Sequence, residues 1–345
     1  MNKRWVIVLV VFIMVLLSIT GYQFLSKIGT GKPRVSSEPT PSEVTLTPID
    51  NNSKIDDSIP ETLMNADEYK EYLGSLNIND ANSIQKGLEI FLKNQTGFSQ
   101  SEKDQAFMNY CDFFYEVINT FGRVIYKGDI SERMWDEVKG ERVTVNVLLD
   151  FLNNPDIPKK DPQIQELTDL VYRNGMKFEM SEGTVYISDQ PDFLHKNFGS
   201  YLSEAFQEYL AILKEEDAET YVDDACLLIS FDDLGNRIIA WEDFMERYPE
   251  FEYSDSIQKR YSLYLKIFLR GLENSPIFSY PDYLLEPEIK KAYENFIQKN
   301  GDRESGRLVK DFFESLESED FKKNDKVPQF YKDHHLEWSY EITMS

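Results

Sequence analysis

Three segments in the C-terminal half of the chain share one pattern, and that pattern restricts this half to packed helices. Ala205-Phe206-Gln207-Glu208-Tyr209-Leu210 is followed by Ala240-Trp241-Glu242-Asp243-Phe244-Met245 and by Ala292-Tyr293-Glu294-Asn295-Phe296-Ile297. Each reads alanine, aromatic, Glu or Gln, acid or amide, aromatic, aliphatic. Residues i and i+4 share a helix face, so the second aromatic fills the groove beside the small alanine. The second and third copies continue in step, as Glu246-Arg247-Tyr248-Pro249 and Gln298-Lys299-Asn300-Gly301, and both stop on a helix breaker. Further apolar helical patterns follow at 255–272 and 304–317. The spacings are 35 and 52 residues. The first is close to one helix-turn-helix unit, and the second is that unit plus an insert from Glu273 to Pro287. A single helical hairpin cannot bury its apolar face alone, so such units stack.

Over about 199–318 these residues resemble divergent tetratricopeptide-type α-solenoids, particularly the Ala…Phe…Tyr-Pro hairpins of bacterial envelope proteins. The chain departs from that family in lacking the usual Trp and Leu-Gly of the first helix and in its uneven spacing. The resemblance implies stacked α-hairpins whose concave face suits a protein partner.

Helix formers at spacings of three and four begin near residue 62. Asp80 or Asn79 is placed to cap a helix carrying Ile84, Leu88, Phe91 and Leu92. Ser101 with Asp104 resembles a capping box ahead of a stripe of Phe107, Tyr110, Phe114, Val117 and Phe121. Shorter helices are predicted at 131–139, 142–153 and 162–174, punctuated by Asn153-Asn154-Pro155 and by Pro158 and Pro162. One stretch breaks the helical period. Lys177–Met180 and Thr184–Ile187, around Ser181-Glu182-Gly183, alternate like a β-hairpin. Two strands alone are marginally stable, so this hairpin must lean on a neighbour.

Residues 5–20 form an uninterrupted apolar run just after Lys3-Arg4, and extension to Leu25 reaches the length of a bilayer-spanning helix. Tyr22 and Phe24 then fall at the far interface. The alternative is a cleaved secretory signal, for which Ser18-Ile19-Thr20 is a poor cleavage site. Residues 26–60, rich in Pro, Ser, Thr and Gly, read as a disordered tether. The expected fold is all-α: a transmembrane anchor at 1–25, the tether at 26–60, then a helical bundle or α-solenoid with one small β-hairpin. Its parts are a helical subdomain at 61–176, the hairpin joint at 177–198, the repeats at 199–320 and an aromatic tail at 321–345. The short N-terminal tail is expected to stay in the cytoplasm, with the body single-pass anchored and extracytoplasmic.

Five of the 37 basic residues and none of the 61 acidic ones precede residue 35, so the remainder carries 32 against 61, a net of −29. Nucleic acid, whose binding rests on Lys and Arg neutralising phosphates, is disfavoured, as are anionic lipids and wall polymers. No calcium loop of the D-x-[DN]-x-[DN]-G type is present. Cys111 and Cys226 sit among apolar neighbours and read as buried free thiols, with a disulfide as the alternative.

Chemical motifs are sparse. His195, His334 and His335 are the only histidines, and adjacent histidines on a helix diverge too far for a zinc pair. These histidines read as surface or packing residues, with a metal set of Asp333, His335 and Glu337 as the alternative. Ser83-Ile-Gln-Lys86 and Ser256-Ile-Gln-Lys259 match the Ser-x-x-Lys spacing of acyl-serine enzymes, but lack the accompanying motifs and read as helix N-caps. No catalytic, cofactor-binding or metal residue is assigned, and no cofactor is implied. The expected role is protein–protein interaction or scaffolding at the cell envelope, with membrane contact through the N-terminal helix. The alternatives are a hydrolase using paired carboxylates on wall glycan, marked by a deep cleft, and a ligand sensor with a pocket near Tyr186 and His195. Aromatics of the 277–285 loop are expected to pack on the solenoid.

Overall fold

The computed structural model describes residues 64–139, 144–181 and 183–338. The predicted anchor and tether lie outside them. Among the described residues no helix is long and apolar enough to cross a membrane. The chain divides between Gln207 and Glu208 into two compact units.

The first unit contains α1 (Ala66–Ser75), α2 (Ser83–Asn94), α3 (Gln100–Phe121), α4 (Ile130–Glu137), α5 (Val145–Asn153), α6 (Pro162–Arg173), the strands β1 (Met176–Ser181) and β2 (Thr184–Asp189), and α7 (Pro191–Phe198). The predicted stripe on α3 is buried at every position, from Phe107 to Phe121. Its cap differs from the expected one. Ser99 accepts from the Glu102 amide while the Glu102 carboxylate accepts from the Ser99 amide, so the box lies two residues earlier. Phe198 is central, its ring 4.6 Å from both Phe91 and Tyr110. On α2 the expected cap is also displaced. Asn82 holds the capping position without a side-chain bond, and Asp80 instead accepts from the Asn82 amide.

The predicted hairpin is present, in register Phe178↔Ile187, and Gly183 takes a positive φ at its turn. It leans on α5: the Asn153 side chain accepts from the Phe178 amide at 2.7 Å and donates to the Phe178 carbonyl at 2.8 Å. An asparagine thus completes the strand as a backbone would.

Helix α8 (Glu204–Asp217) carries the chain across the division. The second unit then holds β3 (Val222–Asp223), β4 (Cys226–Leu227), α9 (Phe231–Arg247), α10 (Ser254–Arg270), β5 (Gly271–Leu272), β6 (Ser275–Pro276), α11 (Pro287–Asn300), α12 (Glu304–Glu317) and α13 (Lys326–Asp333). The three repeat segments fall in α8, α9 and α11. Their second positions, Phe206, Trp241 and Tyr293, are buried, and so are their fifth, Tyr209, Phe244 and Phe296. Of the three alanines Ala292 is buried, whereas Ala205 and Ala240 are only half-buried. Close approach is made instead by Gly235 on α9, where a Cβ would lie 2.9 Å from the Phe296 ring on α11.

The spacing also resolves differently from the expected helix-turn-helix step. The first interval spans one helix and the β3–β4 hairpin, and the second spans a helix pair with the β5–β6 hairpin and a loop. Among the described residues three hairpins therefore stand where one is expected. The two additional ones have strands of only two residues and adjoin each other through Asn274 N–H donating to the Ala225 carbonyl at 3.0 Å.

Candidate interaction surface

Among the described residues, the histidines and Ser-x-x-Lys serines singled out by the sequence are not brought together. His195 lies on α7 with its Nδ1 buried and unpartnered. The Tyr186 hydroxyl donates to Glu179 across the strand pair at 2.9 Å, which occupies it within its own hairpin. The His334 ring lies tilted against Phe330 at 4.3 Å between centres, Asp333 accepts from Gln329, and the backbone carbonyl of Glu337 accepts from Lys266. Among the described residues no group of three His, Cys, Asp or Glu side chains is placed to hold a metal. The two Ser-x-x-Lys serines are not N-caps: Ser83 opens α2 and donates to the Asn77 carbonyl, and Ser256 sits inside the first turn of α10.

Both cysteines are free thiols. Cys111 is buried on α3, and burial, helped by Asp112 and Asp189, pushes its thiol well above the usual range. Cys226 is half-buried on β4, its sulfur 3.3 Å from the Ser275 hydroxyl. The thiolate is the nucleophile, so native protein treated with iodoacetamide should be modified at Cys226 and spared at Cys111 until denaturant is added. Equal native rates at the two positions, read by peptide mass spectrometry, would contradict the packing of α3.

One buried polar cluster of the second unit joins three of its helices. Glu216 on α8 is buried, accepting from the Trp241 indole N–H at 2.7 Å and from Arg260 at 2.6 Å. Burial works against the Arg260 charge, and Glu216 beside it more than restores it, holding the guanidinium above its usual range. Both carboxylate oxygens are thus engaged. A shallow cleft between α9 and α11, bordered by Asp232, Asn236, Asn295 and Lys299, encloses about 20 Å³. That is room for about one water molecule.

The opposite situation holds at one end of the helices. Because α9 and α10 are joined through 248–253 and α11 and α12 through 301–303, helix directions alternate. The connections 218–230, 271–286 and 318–325 therefore share one end. They are hydrogen-bonded into a single rim. Asn274 donates to Ala225, Leu285 N–H to the Phe321 carbonyl at 2.8 Å and Lys323 N–H to the Tyr283 carbonyl at 2.8 Å. Within the middle connection Ile277 and Leu285 are buried and anchor the loop, and the Ser279 hydroxyl bonds both the amide and the carbonyl of Leu284.

The tip of this loop faces solvent, contrary to the expectation that its aromatics would pack. Tyr280 is 85% exposed, Tyr283 46% and Leu284 43%; on the neighbouring connection Leu228 is 53% exposed. Among the described residues these are all of the large exposed apolar side chains of the second unit. Tyr283 also takes a positive φ of 56°, a conformation that costs a non-glycine residue about 1 kcal/mol and persists only where the surroundings impose it. The sequence carried a partial signal: a segment with Pro276, Pro281 and Pro287 is a surface loop, and exposed loops carry function. In the first unit the exposed apolar side chains are dispersed over α2, α5, α6 and connections.

Comparison with protein-family models, with curated proteins and with solved structures finds no match.

Proposed function

We propose that this chain is a membrane-anchored, extracytoplasmic protein-binding module that docks its partner on the rim formed by the connections 218–230, 271–286 and 318–325. One observation carries the reading: the exposed apolar residues Leu228, Tyr280, Tyr283 and Leu284 are gathered on one hydrogen-bonded rim instead of being scattered. Isolated exposed apolar residues are ordinary, whereas grouped ones mark interaction sites. Tyrosine suits this task, since it offers a large rigid contact at little entropic cost and is frequent among residues that dominate binding. A backbone already closed by Ser279, Phe321 and Lys323 adds preorganisation, which reduces the ordering cost of association. The apolar run at 5–20 and the acidic body support the anchored, exported location.

Two measurements test this. A photoreactive phenylalanine in place of Tyr280 or Leu228 should crosslink a protein in intact cells, while the same probe at Glu250, on the far connection, should not. Tyr280→Ser with Tyr283→Ser should abolish that adduct and change stability by no more than about 0.5 kcal/mol, as exposed substitutions do. Equal crosslinking from Glu250, or none from the rim, would remove the docking site. Protease added to whole cells should digest the body, and a body resistant until permeabilisation would overturn the location.

A further inference from the structure

Resting on that docking reading, we infer that the partner presents a basic polypeptide segment, with lysines or arginines set around an apolar or aromatic side chain. The apolar tips are interleaved with uncompensated negative charge. The connections 218–230 and 271–286 carry six acidic residues and no basic one. Asp223, Asp224, Glu273 and Asp282 are exposed, and no ion pair among the described residues involves them.

The other end of the same helices is built differently. There Glu208 receives a two-pronged bond from Arg247, Asp243 pairs with Arg303, and Glu242 accepts from Ser305. Glu208, Glu242 and Asp243 are thus engaged at the end without exposed apolar tips, where Glu250 and Glu252 stay exposed. Asp223, Asp224, Glu273 and Asp282 are left open beside the tips, where Glu319 is paired with Lys326. Lys322 and Lys323, on the third connection, do not reverse the balance, and the Lys323 ammonium lies 5.9 Å from the Phe278 ring centre.

Electrostatic complementarity selects the occupant. A nucleic acid or an anionic lipid surface would be repelled. A second copy would bring the same negative rim, on a chain of net charge −24. A basic segment gains steering towards the rim, and its apolar residue finds Tyr280 and Leu228.

The experiment uses the full chain in intact cells and in isolated membranes. The photoreactive residue at position 280 is activated, and the crosslinked segment is identified by mass spectrometry. The expected adduct lies on a segment of net positive charge containing an aromatic or aliphatic residue. Its yield should fall about tenfold in Asp223→Lys/Asp224→Lys/Glu273→Lys, and comparably when salt is raised from about 0.05 M to about 0.5 M. Glu250→Lys/Glu252→Lys, the same charge change elsewhere, should leave the yield unchanged. An adduct on a neutral or acidic segment, on a second copy of this chain, or one indifferent to both reversal and salt, would overturn the basic partner while leaving a docking site. No adduct from positions 280 and 228 would instead remove the docking reading itself.

Discussion

Glu216→Ala should lower the unfolding free energy of the second unit by about 2–4 kcal/mol. The alanine leaves two donors without their acceptor at once. The Trp241 indole N–H is fully buried and has no route to water, so it bears the desolvation cost of an unmade bond. Arg260 loses its counter-charge while its ring contact with Trp241, at 5.8 Å, stays in place. Its side chain is 41% exposed, which lets water recover part of the loss and keeps the effect below that of a fully enclosed pair. Glu216→Gln separates the two contributions: the amide oxygen still serves Trp241, while the amide NH2 cannot accept from Arg260. The charge-assisted Arg260 bond is then lost and the Trp241 bond kept, at a cost of about 1–2 kcal/mol. Hydrogen exchange during urea unfolding resolves this by region, with α9 and α10 amides opening earlier and those of α3 unchanged. If Glu216→Ala left α9 protection intact, the cluster would not hold the helices together.

Gly306→Ala should cost the second unit about 2–4 kcal/mol, although alanine is the better helix former by about 1 kcal/mol. Gly306 is buried in the first turn of α12, where a Cβ would sit 1.7 Å from the Asn300 carbonyl oxygen and 3.1 Å from the Gly301 Cα. Both obstacles are backbone, so the α11–α12 turn must open to admit the methyl group. Gly74 supplies the opposite case. It lies in the last turn of α1 with nothing within 4 Å of its would-be Cβ, and Gly74→Ala should stabilise the first unit by about 0.5–1 kcal/mol. Urea midpoints of the two variants should therefore move in opposite directions. A neutral Gly306→Ala would mean that the turn is looser than its carbonyl contact indicates.

Helix stripes and the six-residue strands of the β1–β2 hairpin are legible in the sequence; cap positions, two-residue strands and the meaning of the repeat spacing are not. The stripe from Phe107 to Phe121 follows a 3.6-residue period over a whole helix, a signal no neighbour contradicts. Its cap was misplaced because Ser99…Glu102 and Ser101…Asp104 share one spacing. The observed box uses the longer Glu side chain to reach the cap amide. The β3–β4 and β5–β6 hairpins leave no sequence pattern, because two residues cannot display alternation and the Asp224-Ala225 turn has positive φ without glycine. With them hidden, the shorter repeat interval passed for a helix pair. The rim was concealed for a different reason. Ile277, Leu285, Tyr280 and Tyr283 are all apolar or aromatic, and only tertiary packing decides that the first two turn inward.

The first amides of a helix have no partner within it and need one from outside. Helix α12 finds none at its own cap: Arg303 contributes no side-chain bond, and the Ser305 amide and hydroxyl are instead taken by the Glu242 carboxylate of α9. The helix that begins at Glu304 is thus finished by a residue from three helices earlier. A peptide of residues 287–317 alone would fray at the start of its second helix, and these hairpins cannot be cut from the chain and exchanged as independent cassettes.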